Sequence, residues 1–259
     1  MTDELLYEVK DGIARATFNR PQARNALTFA IYERLAEICG AINRDRATRA
    51  LILTGAGEKA FAAGTDISQF KSFKTSEDAL QYEARIDRVI GAVEECRVPI
   101  IAAVSGACTG GGAGIAAACD IRLAAANARF GFPIARTLGN CLSMGNLSRL
   151  AALIGTARAK EIIFTARLVE APEALAAGLV SEVLPDHASL MARAGELATL
   201  FARHAPLTLQ ATKEALRRLR PKLAPGEGED LILMCYMSRD FREGMDAFLN
   251  KRPPVFRGE

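Results

Sequence analysis

The sequence predicts an α/β fold in which strands and helices alternate early and helices dominate late. Three observations carry this reading. The apolar runs Ala50-Leu51-Ile52-Leu53-Thr54 and Ile100-Ile101-Ala102-Ala103-Val104, the second behind Pro99, read as strands buried on both faces. Each is followed by an apolar pattern at helical spacing, through Leu80, Ile86, Val89, Ile90 and Val93 and through Ile115, Ala118 and Cys119. Beyond Pro133 the pattern turns mostly helical, which favours an α/β core with an appended helical region.

Taken in order, Leu5 to Lys10 and Ile13 to Phe18 flank Asp11-Gly12 and read as a hairpin with a tight turn. A polar loop from Arg20-Pro21 leads to Thr28, an N-cap for a helix carrying Leu35, Ile38 and Ile42 on one face. Strand 50–54 runs into a loop from Phe61 to Ile67. Thr75-x-x-Asp78 then resembles a capping box with Asp in place of Glu. After the central strand comes the triplet Gly110-Gly111-Gly112, opening a small-residue helix. Asp120 to Ala125 and Ala128 to Phe132 are further strands. Helices are expected over 142–154, 156–166, 171–177, 187–203, 207–220 and 228–249, with a strand near 179–184. Pro221 to Gly228 reads as a loop rather than a domain hinge.

The chain has 259 residues, half of them hydrophobic and 24% charged, which suits a soluble globular protein with a substantial core. A net charge of +3 is too slight to argue for nucleic acid. No apolar run reaches the roughly 18 residues needed to span a bilayer, and no membrane partner is expected. Positions 1–20 carry neither a signal-peptide nor a transit pattern, so the cytoplasm is the expected compartment. Six scattered cysteines without a C-x-x-C pair read as reduced thiols, mostly in apolar contexts. With His187 and His204 the sole histidines, no metal site is expected.

The glycine triplet is the most informative stretch. Glycines at a helix start let a ligand approach N–H groups that have no helical partner, and the macrodipole favours an anion or a developing oxyanion there. Close packing of helix on strand is the plainer use of the same glycines. The dinucleotide fingerprint fails, because Gly110-Gly111-Gly112-Ala113-Gly114 lacks the G-x-G-x-x-G spacing, and no P-loop motif occurs.

Further motifs decide the matter. Phe61-Ala62-Ala63-Gly64-Thr65-Asp66-Ile67, followed by Ser105-Gly106 with Gly110-Gly111-Gly112 and Cys119-Asp120-Ile121, resembles the crotonase superfamily, the enoyl-CoA hydratase/isomerase family. The resemblance runs nearly end to end, through Asn19-Arg20-Pro21, Asn25-Ala26-Leu27, Ala128-Arg129-Phe130-Gly131-Phe132-Pro133, Gly178-Leu179-Val180 and Asn250-Lys251-Arg252-Pro253-Pro254. It implies a spiral of β-β-α turns over residues 1–200, which binds acyl-CoA. Residues 201–259 would form a C-terminal helical region for oligomerisation and for a lid, in a homotrimer or homohexamer. Coenzyme A enters as part of the substrate, with no permanently bound cofactor.

In this family two backbone N–H groups bind the thioester oxygen, and they map to Thr65 and Gly111. Preorganised donors of this kind stabilise the enolate, and losing one typically costs about 3–4 kcal/mol of transition-state stabilisation. The two glutamates with which hydratases handle water map to Gly114 and Ile134. Neither residue transfers a proton, so isomerisation or a related proton transfer is expected instead of hydration. A binding protein that keeps the cradle without chemistry is the alternative.

Several side chains have two readings. In the segment after Pro133, Asn140 or Ser143 is a candidate for orienting water or polarising the acyl group, and Cys141 for a nucleophile or acid. Arg136 is a candidate partner for an acyl carboxylate. Against these stand Cys141 as a core filler and Arg136 as a surface residue. Asp66 and Asp120 read as structural carboxylates. Family contacts to coenzyme A map around Gln22, Ala23 and Arg24 and around Ala62, Ala63, Thr65 and Ile67, with Lys251 and Arg252 as further phosphate candidates. The basic run Lys213, Arg217, Arg218, Arg220 and Lys222 reads as a solvated face, since no aromatic residues interleave for nucleic-acid stacking. Leu231, Met234, Met237 and Phe241 read as core or as a subunit contact.

Overall fold

The fold is seen in a computed structural model that describes residues 3–224 and 226–259. Strands β1 (Leu5–Lys10) and β2 (Ile13–Phe18) pair antiparallel. Their turn places Asp11 at φ +52° and Gly12 at φ +75°, the positive angles a two-residue hairpin turn requires. Thr28 caps α1 (Phe29–Arg44), its side chain accepting from Ile31 N–H, and Leu35, Ile38 and Ile42 are buried as their spacing predicts.

Three similar turns follow. The first is β3 (Ala50–Gly55), β4 (Ala60–Ala62) and, after a 3-10 turn over Ile67–Ser72, α2 (Ser76–Glu94). The second is β5 (Ile100–Val104), β6 (Ala107–Thr109) and α3 (Gly111–Ala118). The third is β7 (Ile121–Ala125), β8 (Arg129–Gly131) and the short α4 (Ile134–Thr137). Each turn adds one longer strand to a six-stranded sheet, ordered β1-β2-β3-β5-β7 and closed by a later strand. Each also adds a short strand to a second, four-stranded sheet. Successive turns repeat the same direction, so β2, β3, β5 and β7 pair in parallel.

The remaining elements are α5 (Met144–Ile154), α6 (Thr156–Thr165), β9 (Val169–Glu170), α7 (Ala171–Ala176), β10 (Glu182–Leu184), α8 (His187–Arg203), α9 (Pro206–Arg218), α10 (Glu229–Tyr236) and α11 (Arg239–Leu249). Strands β9 and β10 complete the small and large sheets. Burial of β3 and β5 on both faces is now explicit. Leu51, Leu53, Ile100, Ala102 and Val104 join the main core, whereas Ala50, Ile52, Ile101 and Ala103 pack with Leu190, Ala194 and Ala198 of α8. The capping box is present as read, with Thr75 and Asp78 each bonding the other's backbone.

Four expectations are corrected. Strand β4 occupies part of the expected Phe61–Ile67 loop, and β6 intervenes before the glycine turn, because three-residue strands leave no periodic trace. The strand expected over 179–184 is confined to β10. A single helix over 228–249 is divided into α10 and α11. Ser238 divides it, its hydroxyl donating to Cys235 O and accepting from Phe241 N–H. The proposed stripe therefore does not form one face, and Phe241 is buried while Leu231 and Met234 are exposed. Among the described residues no helix is long and apolar enough to cross a membrane.

Candidate active site

The two glycine-bearing loops meet. A Cβ built on Gly110 would stand 3.4 Å from Gly64 Cα, and one on Gly64 would stand 3.6 Å from Thr109 O. Between them opens a cavity of about 520 Å³ lined by Ala63, Gly64, Thr65, Gly110, Gly111 and Gly114, with Ile86, Ile90 and Ile134 among its apolar residues. Thr65 is held by a parallel bridge to Leu27, in which Leu27 N–H donates to Gly64 O and Asp66 N–H to Leu27 O. Its own N–H has no partner among the described residues. The N–H of Gly111 is equally free, because Gly111 is the first residue of α3 and no side chain caps that end.

Two tyrosines that sequence reasoning missed hold this arrangement. Tyr32 Oη and Tyr82 Oη each lie 2.9 Å from Thr65 Oγ1. Both side chains are buried at apolar positions of α1 and α2, and a buried hydroxyl needs a polar partner. That need was the available signal. Thr65 supplies the partner, which accounts for a threonine at this position. Tyr32 also explains Gly111, because a Cβ there would stand 2.0 Å from the Tyr32 hydroxyl. Gly112 is constrained by backbone instead, its Cβ falling 2.3 Å from Ala62 O. The far end of α3 is anchored by buried Arg122, which donates to Ala116 O and Cys119 O. The helix thus has bonded carbonyls at one end and free amides at the cavity.

Asp66 and Glu83 are the acidic residues in the cavity lining. Asp66 caps the 3-10 turn, accepting from Ser68 N–H, and pairs with Arg20 at 3.0 Å. Burial pulls its pKa up, but the Ser68 hydrogen bonds and Arg20 outweigh that and hold it below the usual range. Glu83, on α2, was not singled out from the sequence. It is 6% exposed and accepts from Tyr236 Oη at 2.5 Å. Burial pushes its carboxyl up to about 7 against the lowering effect of that hydrogen bond, with Asp87 adding to the rise.

The remaining candidates separate clearly. Gly114 and Ile134 both line the cavity. So do Asn140 and Cys141. Asn140 Nδ2 donates to Tyr236 Oη at 3.2 Å, while its Oδ1 is buried without a partner among the described residues. Asn146 Oδ1, also in the lining, is in the same condition. The neighbouring Cys235 thiol and burial push the Cys141 thiol up, away from a thiolate. Ser143 caps α5 and donates to Asp87, and Asp120 accepts from Ile100 N–H and pairs with Lys213. Arg136 is exposed on α4 and does not line the cavity. Ala23, Arg24, Ala63 and Ile67 line it; Gln22 and Lys251 are exposed and Ala62 is buried behind it. Arg252 is engaged by Glu243 and Asp246. Along the basic run, Lys213, Arg217, Arg218 and Arg220 are all paired with carboxylates.

The sequence matches the model of the enoyl-CoA hydratase/isomerase family over residues 8–259. The chain belongs to that family. It is 37% identical over 253 residues to the short-chain-enoyl-CoA hydratase of Clostridium acetobutylicum, covering 96% of each chain. A monofunctional enoyl-CoA isomerase from M. smegmatis is 34% identical, with a TM-score of 0.70 over 84% of this chain and 93% of its own. A methylmalonyl-CoA decarboxylase bound to 2-nitronate-propionyl-CoA is 27% identical, with a TM-score of 0.89 over 99% of both chains. The crotonase-type architecture read from the motifs is thereby established, and the chain is an enzyme of the hydratase/isomerase family. The relatives span hydration, isomerisation and decarboxylation, so membership alone leaves the reaction open.

Proposed function

We propose that this enzyme binds an acyl-CoA thioester with its carbonyl oxygen between Thr65 N–H and Gly111 N–H, and that it moves a proton on the resulting enolate rather than adding water. The observation that carries the reading is the pair of unpartnered amides on one cavity whose hydratase glutamate positions hold Gly114 and Ile134. Ala23, Arg24, Ala63 and Ile67 lie where coenzyme A would enter, and Arg24 is the phosphate candidate among them. A homotrimer or homohexamer is part of the same reading. Helix α9 supports it, having no buried residue and presenting Leu207 and Leu216 to the exterior, with Leu219 exposed just beyond its end.

The test offers saturated, enoyl- and dicarboxyl-CoA thioesters to the purified protein in heavy water and follows α-deuterium and products by mass spectrometry. Uptake of deuterium without hydration is the expected result. Hydration of a short enoyl-CoA at rates on the order of 1–10³ s⁻¹ would overturn it. Binding without exchange would instead support a thioester-binding protein, the reading that the two missing carboxylates also allow.

A further inference from the structure

The geometry points to Glu83 of α2 as the group that carries the proton, taking it from one carbon of a bound enoyl thioester and returning it to another. This rests on the acyl-CoA reading above. Ala79, Glu83, Ile86, Ile90 and Val93 form the buried face of α2, so a carboxyl stands where the helical pattern calls for an apolar residue. Among the described residues no lysine or arginine pairs with it, although its neighbour Asp66 on the cavity has Arg20. An unpaired buried carboxyl is costly to the fold and marks a site where chemistry uses it. Its position is fixed from two sides. Adjacent Tyr82 ties this turn of α2 to Thr65, and Tyr236 of α10 donates to the carboxyl while accepting from Asn140.

The step balances without water or a redox partner. Glu83 carboxylate removes the α-proton of a 3-enoyl thioester, and the C–H electrons form a dienolate whose oxygen accepts from Thr65 and Gly111 N–H. When the thioester carbonyl re-forms, the double bond lies between the α- and β-carbons. The Glu83 carboxyl then returns the proton to the γ-carbon. Tyr236 acts as a positioning residue.

The titratable groups facing Glu83 are Tyr32 of α1, Tyr82 and Asp87 of α2, Cys141 of the segment between α4 and α5, and Tyr236 of α10. None is a cation, and the base form of Glu83 is gained as pH rises through about 7. Glu83→Gln keeps an oxygen for the Tyr236 hydroxyl, so folding and binding of a saturated acyl-CoA are expected to persist. Isomerisation of 3-enoyl-CoA and its deuterium exchange in heavy water should fall by about 10²-fold or more. Tyr236→Phe removes a donor to the carboxylate, and the rising limb of kcat/KM should move to higher pH. Wild-type speed in Glu83→Gln, or thioester binding without exchange by the wild type, would overturn the role of Glu83 and leave the amide cradle standing. Failure of the wild type to bind any acyl-CoA would instead remove the acyl-CoA reading beneath it.

Discussion

Two regions of one cavity are built in opposite ways. Its floor, at Gly64-Thr65 and Gly110-Gly111, offers backbone amides left without a partner among the described residues, at an isolated bridge and at a helix start. Its wall on α2 offers side chains, the Tyr82 hydroxyl and the Glu83 carboxyl in an apolar layer, with Tyr236 of α10 bonding that carboxyl from behind. The floor is made cheaply, since helix starts always have spare N–H groups. The wall is not, because each buried polar atom has to be matched or left at a cost. The two carboxylates of the lining show the difference. Asp66, on the floor side, pairs with Arg20 and is held ionised; Glu83, on the wall, has no cationic partner among the described residues, and burial pushes its carboxyl up to about 7.

The hardest blow to the floor is Gly111→Ala. Its methyl group would fall 2.0 Å from the Tyr32 hydroxyl, and Tyr32 is fully buried, so the helix start must shift. Displacing one donor from a preorganised pair costs about 3 kcal/mol, or 10²–10³-fold in turnover. Steady-state kinetics on the best thioester found, with circular dichroism as the fold control, checks it. Retained turnover would mean that the amide of Gly111 is not a working part of the floor.

The wall responds with the opposite sign. Glu83 has a folded pKa of about 7, above the ordinary 4.5 of an unfolded glutamate. Between those values the folded state holds more protons than the unfolded one, so stability falls as pH rises from about 4.5 to 7 and then levels off. Glu83→Gln removes that dependence. At pH 8 the variant should be more stable than the wild type by on the order of 3 kcal/mol, and at pH 4 the two should be close. Denaturant titrations at both pH values measure it. A variant less stable at pH 8 would mean that the carboxylate is compensated by contacts other than Tyr236.

The same contrast explains what the chain made legible. The doubly buried strands and the glycine triplet are local signals, so two strands and the glycine-opened helix could be read from residues 50–54 and 99–121, whereas the pairing of Thr65 with Gly111 came from the family resemblance. Glu83 lies within Glu83-Ala84-Arg85-Ile86-Asp87-Arg88, where charges look like a solvated helix. Only its helical phase with Ala79, Ile86 and Ile90 shows that it turns inward while Arg85 and Arg88 turn out. Tyr236 lies more than 150 residues away in sequence, and nothing local reports that pairing. The break at Ser238 was hidden for a related reason, since the apolar spacing runs across it unbroken.

A subtler cut separates the backbone of Thr65 from its side chain. Thr65→Ala leaves the free amide in place but strips Tyr32 and Tyr82 of their shared partner. Two buried hydroxyls without that oxygen should cost about 1–3 kcal/mol of stability. Thioester affinity should change little if the floor works through backbone alone. A large loss of affinity with unchanged stability would assign the hydroxyl itself to the ligand.

The smallest effect is expected from Arg136, and it marks where the wall ends. Arg136 lies in the same segment as Ile134 and Asn140, but its side chain is exposed and does not line the cavity. A single turn of α4 sends Ile134 inward and Arg136 outward, because residues two apart on a helix point away from each other. Arg136→Ala should therefore shift stability by less than about 0.5 kcal/mol. It should also leave kcat/KM unchanged on both monocarboxyl and dicarboxyl thioesters. The dicarboxyl arm is the informative one, since a guanidinium that met a substrate carboxylate would lose a charge-assisted hydrogen bond worth about 1.5–3 kcal/mol. A selective loss on dicarboxyl-CoA would show that this loop closes over the acyl group in the complex and carries Arg136 into the wall.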